Sequence, residues 1–203
     1  MSPHDGPAAL SIPTADAVAE PVTFATARGD DADPALDEVR RGLADVRLEV
    51  FVVEQAVPLV EEIDARDFEA TTLHVLAQGA DGTPLGAGRV LLEPTRPGQV
   101  HLGRLAVRRV ARGTGLGARL VSVLESIALE HAGVALGVEQ AGAVGVPPGT
   151  TGVRVLLSAQ EQAMGFYERC GYRAVGGERY LDAGIWHRDM ARTVTGPGPR
   201  RRT

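Results

Sequence analysis

The chain has 203 residues, a formal net charge of −5, 44% hydrophobic residues, and 25 glycines beside 13 prolines. That length suits one domain with a proper core plus loose ends, and the acidic balance speaks against general nucleic-acid binding. The single cysteine, Cys170, excludes an internal disulfide and a cysteine-rich zinc site. No apolar run reaches about 18 residues and no basic-then-apolar leader opens the chain, so a cytoplasmic protein with no metal and no membrane partner is expected.

Residues 1–20 mix prolines, small residues and acids without periodicity and are expected to form a disordered tail. Residues 22–28 predict a first strand. A helix follows from Ala35, with Leu36, Val39, Leu43 and Val46 on one face, Asp33 as N-cap and Pro34 in the first turn. Next comes Arg47-Leu48-Glu49-Val50-Phe51-Val52-Val53-Glu54-Gln55, after which acids gather at Glu61, Glu62, Asp64, Asp67 and Glu69. Residues 71–78 predict a strand, Ala80-Asp81-Gly82-Thr83 a hairpin turn, residues 84–93 the return strand, and Thr95-Arg96-Pro97-Gly98 a second turn.

Residues 100–131 form the centre of the pattern. An alternating β-prone run to Val107 breaks into a basic, glycine-rich turn and continues as an amphipathic helix carrying Leu116, Leu120, Leu124 and Ile127 on one stripe. Strand, glycine-rich loop and helix together can build an anion site from backbone: glycine permits close approach, and unpaired N–H groups at a helix start point at the anion. Arg104, Arg108, Arg109, Arg112 and Arg119 suit a polyphosphate. A basic turn that uses its glycines only for packing would read the same way.

Residues 132–152 are rich in glycine, alanine and proline, carry one charge, Glu139, and show no clean period. An insertion loop, a flap or a segment ordered by a partner is expected there. Residues 153–157 predict a buried strand, and residues 160–169 a short helix stopped by Gly171. Residues 172–175, 179–182 and 185–191 predict a closing hairpin around Ala183-Gly184, and residues 193–203 a disordered tail.

Two stretches resemble the GNAT superfamily of N-acetyltransferases. Arg112-Gly113-Thr114-Gly115-Leu116-Gly117 fits that family's acyl-CoA pyrophosphate loop, and Gln160-Glu161-Gln162-Ala163-Met164-Gly165-Phe166-Tyr167-Glu168-Arg169-Cys170-Gly171-Tyr172 is similar to its downstream segment. Residues 47–55, the acids to Asp67, His74, Leu157-Ser158-Ala159-Gln160 and Ile185-Trp186-His187 resemble the ElaA-like branch. The likeness covers residues 22–192 and departs at 132–152.

The resemblance implies one α/β (α+β) domain over residues 21–192, with a mixed central sheet of about six or seven strands flanked by helices. It implies acetyl transfer from acetyl-CoA, without a metal, to a primary amine of a small molecule or peptide. The backbone of Arg112, Gly113, Thr114, Gly115, Leu116 and Gly117 would cradle the pyrophosphate, Leu105, Ala106 and Val107 would run beside the pantetheine arm, and Gln160 would lie near the cofactor. Tyr167 would protonate the leaving thiolate, and Glu54, His74 and His187 are candidates to deprotonate the amine. Asp64 and Asp67 could attract a cationic amine. Each of these residues also has a plain reading: Tyr167 as a core aromatic beside Phe166, Glu54 as a solvated carboxylate, the histidines as satisfied strand residues, Cys170 as a small buried side chain.

Two further readings stay open. Acyl-homoserine-lactone synthases share the fold, and Arg47, Val50, Phe51, Asp64, Asp67 and Gly86 to Arg89 align with their pattern; those enzymes take acyl groups mainly from a carrier protein and lack the arginine-and-glycine loop. A non-catalytic acyl-CoA-binding module is the other. An edge strand near the C-terminal hairpin also leaves a homodimer open.

Overall fold

The computed structural model describes residues 21–196, so the tail expected at 1–20 and residues 197–203 of the one expected at 193–203 lie outside the described residues. Strand β1 (Thr23–Arg28) leads to a 3-10 turn in which the Asp33 carboxylate accepts the Ala35 N–H at 2.9 Å and Pro34 takes the first position. Helix α1 (Asp37–Arg47) then buries Leu43 and Val46 and passes without a break into a π-helix, Leu48–Glu54. A short α2 (Leu59–Glu62) and a 3-10 turn (Ala65–Phe68) carry the acids to the sheet.

The predicted meander is present as β2 (Thr72–Gln78), β3 (Pro84–Leu92) and β4 (Gln99–Val107), antiparallel in sequence. After the glycine-rich turn come α3 (Leu116–Ala132), β5 (Val134–Ala135), α4 (Val138–Ala143) and β6 (Thr151–Gln160). Helix α5 (Met164–Arg169), β7 (Arg173–Ala174), β8 (Tyr180–Asp182) and β9 (Ile185–Thr195) complete the described chain. The sheet runs β1-β2-β3-β4-β6-β9-β7, with β5 added to β6 and β8 to β9. Only the β4–β6 pairing on that path is parallel. A mixed sheet with a seven-strand main path, flanked by helices, is the fold class expected from the sequence.

Several boundaries differ: β6 runs from Thr151 to Gln160 where 153–157 was expected, so Gln160 ends a strand and does not open the helix. Strand β9 continues to Thr195, beyond the expected start of the tail, because Val194 and Thr195 pair with Val153 and Gly152. Residues 132–152 form an ordered excursion. Val134 and Ala135 pair with the start of β6, the Leu136 N–H donates to the Thr150 carbonyl, and Leu136 and Ala141 are buried. Leu136 lies so close to Gly152 that a Cβ there would meet its Cδ1 at 2.7 Å. A two-residue strand and a six-residue helix are too short to show a period.

Alternation along β3 places helices on both faces. Gly86, Gly88 and Val90 look toward α3, where Leu120 and Leu124 join Val100, Leu102, Val153, Val155 and Leu157 in the larger core. Ala87 looks the other way, toward Leu43 and Val46 of α1. The two glycines set the depth of α3: a Cβ on Gly88 would lie 2.6 Å from Leu124 Cδ1, and one on Gly86 3.3 Å from Leu120 Cδ2. Leu124 is fully buried and has no room to swing aside. Gly88→Ala should therefore destabilise the protein by about 1–3 kcal/mol, at about 2–4 °C of Tm per kcal/mol for a chain of this size, as thermal melting would record.

Candidate active site

Strands β4 and β6 touch only where residues 99–102 pair with 154–157. Beyond Leu102, β4 stays with β3, while β6 follows β9 as far as the Gln160–His187 pair. A bulge drives the separation. Ala87 faces Ala106 but Arg89 faces Gly103, so Arg104 and Leu105 both stand opposite Gly88, and Arg104 takes φ 51°. An extra residue in the left-handed region bends a strand away from its neighbour.

The inner edges of both strands are thereby left without partners and form the walls of a cleft of about 910 Å³. The expected Leu105, Ala106, Val107 and Gln160 all line it. An unpaired strand edge is a template for an extended chain bearing amides. Gln160 is held by an amide pair, its Nε2 donating to Gln55 Oε1 at 2.8 Å, which ties the end of β6 to the end of the π-helix.

At the mouth, a 3-10 turn (Arg109–Ala111) precedes Gly113 and Gly115, whose φ angles are 81° and 82°. A Cβ at either would meet nothing within 4 Å, so backbone conformation alone calls for glycine there. Gly117 differs: its Cβ would sit 3.2 Å from the Phe166 ring, so this position lets α5 approach the loop. Thr114 Oγ1 donates to the Ala111 carbonyl at 2.8 Å, and Leu116 is buried as the first residue of α3. None of the backbone N–H groups of residues 113–118 has a partner among the described residues. Six free donors at the positive end of a 17-residue helix make an anion site.

Most of the arginine field expected here is already spent. Arg112 Nη2 lies 2.7 Å from Glu54 and its Nε donates to the Val107 carbonyl at 2.8 Å. Arg108 Nε stands 2.9 Å from Glu49 Oε2, and the Arg119 guanidinium covers the Phe24 ring at 5.6 Å. Arg104 turns away to the acids. Of the five, only Arg109 lacks a partner among the described residues. The loop therefore offers an anion backbone donors more than free side-chain charge.

Tyr167 lines the cleft from α5, edge-to-face with Phe166 at 5.0 Å and Tyr172 at 5.9 Å. Its hydroxyl has no partner among the described residues, and burial pushes its pKa up, so it stays protonated. His187 also lines the cleft and is 9% exposed. Its Nδ1 donates to the Ile185 carbonyl at 2.9 Å, so in the neutral ring the lone pair is on Nε2. Glu54 is engaged with Arg112 and does not line the cleft.

His74 is a correction. It is buried outside the cleft, its Nε2 donating to the Asp67 carbonyl at 2.9 Å, and burial lowers its pKa. It holds the acidic turn and does not reach an amine.

Asp64 and Asp67 also differ from expectation, because they are not a solvated lure for cations. Asp67 receives both terminal nitrogens of Arg47, at 3.0 and 2.9 Å, and Arg89 Nη1 at 2.6 Å. Asp64 pairs with Arg89 Nη2 at 2.9 Å and Arg104 Nη2 at 3.3 Å, and Glu62 pairs with Arg47 and Arg104. Burial alone would raise the Asp67 carboxyl, but Arg47 and Arg89 outweigh it and hold it well below the usual carboxylate range. Three arginines thus neutralise three acids at one wall of the cleft.

Sequence reading missed one group, the chain Ser158–Tyr180–Asp189. Tyr180 donates to Asp189 Oδ1 at 2.7 Å, so its oxygen accepts from Ser158, and its ring stacks on His187 at 6.2 Å. Ser158 alternates with Gln160 on the cleft face of β6, and that spacing was the available signal.

Arg47→Ala would strand Asp67 and Glu62 in the interior and should cost about 3–5 kcal/mol of stability by chemical denaturation. His74 and Asp67 both have lowered folded pKa values, so the unfolded chain binds more protons at acid pH. Stability should therefore be full above about pH 6.5, decline below it as unfolded His74 protonates, and decline again below about pH 3.9 as Asp67 does. His74→Gln should flatten the first decline in Tm and leave the second.

A family model described as an acetyltransferase (GNAT) domain matches residues 69–174. An uncharacterized N-acetyltransferase of Bacillus subtilis (strain 168), YjcF, is 35% identical over 145 residues, 71% of this chain and 86% of its own length. Among solved structures, Escherichia coli ElaA is 25% identical at a TM-score of 0.64, over 84% of this chain and 99% of its own. The CoA-dependent acyl-homoserine lactone synthase BjaI reaches a TM-score of 0.60 at 15% identity over 86% of this chain and 83% of its own, a likeness of fold alone. With the splayed β4 and β6, the free N–H groups at the start of α3 and these matches, the chain belongs to the GNAT family of acyl-CoA N-acyltransferases.

Proposed function

We propose that this protein transfers an acetyl group from acetyl-CoA to a primary amine by direct attack within the cleft. The observation that carries this reading is the pair of unpaired strand edges opening beside six free N–H groups. Those donors suit the pyrophosphate, and the edge of β4 at Leu105, Ala106 and Val107 suits the amides of a pantetheine arm. A backbone N–H of the same edge would hold the thioester oxygen as negative charge develops on it. Losing one such donor typically costs about 2.7–4 kcal/mol of barrier.

The amine nitrogen attacks the thioester carbon, and the tetrahedral intermediate collapses with cleavage of the C–S bond. Tyr167, kept protonated by burial, gives its proton to the departing thiolate, whose conjugate acid has a pKa near 8.5. His187 accepts the ammonium proton on Nε2. Glu54, already bound to Arg112, braces the glycine loop and leaves the base role to His187.

A synthase acting on S-adenosylmethionine is the second reading, favoured by the Arg47, Asp64, Asp67 and Arg89 pattern. BjaI is described as CoA-dependent, so CoA use does not separate the two. The mutual neutralisation of those acids and arginines leaves them no spare charge for a sulfonium, which supports the acetyltransferase.

Separate calorimetric titrations with acetyl-CoA and S-adenosylmethionine, followed by an amine panel, test the proposal. Absence of acetyl-CoA binding removes it, turnover only with S-adenosylmethionine transfers it to the second reading, and binding with no turnover leaves an acyl-CoA-binding module. Tyr167→Phe should lower kcat about 100-fold while acetyl-CoA still binds; full turnover at neutral pH would take the acid role from Tyr167.

A further inference from the structure

We infer that the acceptor is a small aliphatic amine carrying a second positive charge and no carboxylate, an α,ω-diamine or polyamine; this rests on the acetyl-transfer reading and names its substrate class. The inference starts from His187, nine-tenths buried and lining the cleft, whose Nδ1 is taken up by the Ile185 carbonyl so that in the neutral ring Nε2 is an acceptor. Its neighbours repeat that polarity. Tyr180 has one hydroxyl proton and gives it to Asp189, so the Ser158 proton goes to Tyr180 and the Ser158 lone pairs remain for the cleft. Tyr180 and Asp182 are two residues apart in β8, and Asp182 stands opposite Ile185 on the face that carries His187. The Asp182 carboxylate lines the cleft and has no ion-pair or hydrogen-bond partner among the described residues. Glu61, at the start of the α2 acids, also lines the cleft, and its carboxylate has no partner among the described residues.

The cations at this end are already matched. Arg89 and Arg104 line the cleft but are paired with Asp64, Asp67 and Glu62. Arg169, the cleft arginine with no carboxylate partner, belongs to α5, the helix packed on the glycine loop. An acceptor carboxylate near His187 would face Asp182 and Glu61 with no free counter-charge, and like charges so placed are strongly disfavoured. A protonated amine finds the reverse. One nitrogen loses its proton to His187 Nε2 and attacks the thioester, while the other remains an ammonium between Asp182 and Glu61. The apolar surface of Phe51, Val57 and Ile185 suits the methylene chain between them.

Putrescine, n-butylamine and γ-aminobutyrate have the same reach and differ only in the far group, so they form the test. With acetyl-CoA, putrescine should exceed γ-aminobutyrate about 100-fold in kcat/KM. Asp182→Asn and, separately, Glu61→Gln should each reduce the putrescine to n-butylamine ratio about fivefold. Equal use of γ-aminobutyrate and putrescine, or ratios unmoved in both variants, would overturn the inference while leaving acetyl transfer intact. Calorimetric binding of putrescine to the protein loaded with CoA needs no turnover and keeps the two claims apart. Binding that weakens in Asp182→Asn supports the acceptor class even if transfer fails, and no binding at millimolar putrescine rejects it. Thermal melting of both variants, whose changed side chains are exposed, checks that they fold.

Discussion

One buried carboxylate, Asp67, anchors two arginines from different elements, and the cleft depends on it. Arg47 comes from the end of α1 and Arg89 from β3. Arg89 passes the connection to Asp64, and Asp64 with the Glu61 and Glu62 carbonyls passes it to Arg104 at the bulge of β4. The left-handed Arg104 is costly for a residue with a Cβ. Its guanidinium contacts on the acidic turn hold it in place, and the bend it makes keeps the lower half of β4 away from β6. A buried pair of this kind is a weak source of net stability, since desolvation offsets attraction. Its value here is geometric: it sets where the strand edge opens.

The same accounting explains how an acidic chain accommodates an anionic cofactor. Side-chain charges around the glycine loop are largely balanced, Arg112 by Glu54 and Arg108 by Glu49, so the attraction comes from peptide dipoles. Backbone donors hold a phosphate at fixed positions and need no side-chain ordering. The paired arginines keep the π-helix against the loop, and Gln55 extends that link to Gln160 on the far wall. Both walls of the cleft are thereby tied to the segment between α1 and α2.

Polarity divides along the cleft. Free N–H donors lie at the glycine loop, and acceptors lie around His187, Ser158 and Asp182. Tyr167 stands between them with its proton retained by burial. On the proposed reading the first side suits the thioester and the second suits the amine.

The elements whose signal is local were legible from sequence. The meander, its turns, the loop glycines, α3 and the hairpin around Ala183 follow from alternation, helical spacing and turn chemistry, each decided within a few residues of chain. That Leu105, Ala106, Val107, Gln160, Tyr167 and His187 belong to one cleft was implied by the family resemblance of the motifs around them. The tertiary structure alone decided what depends on partners distant in sequence. Arg47 finds Asp67 across 20 residues and Arg104 finds Asp64 across 40, so no local pattern reveals that these charges cancel. For the same reason His74 reads as a base by type and is a buried strut in place. The order in residues 132–152 likewise comes from pairing with β6 and from the fit of Leu136 against Gly152, contacts that a six-residue helix and a two-residue strand do not announce.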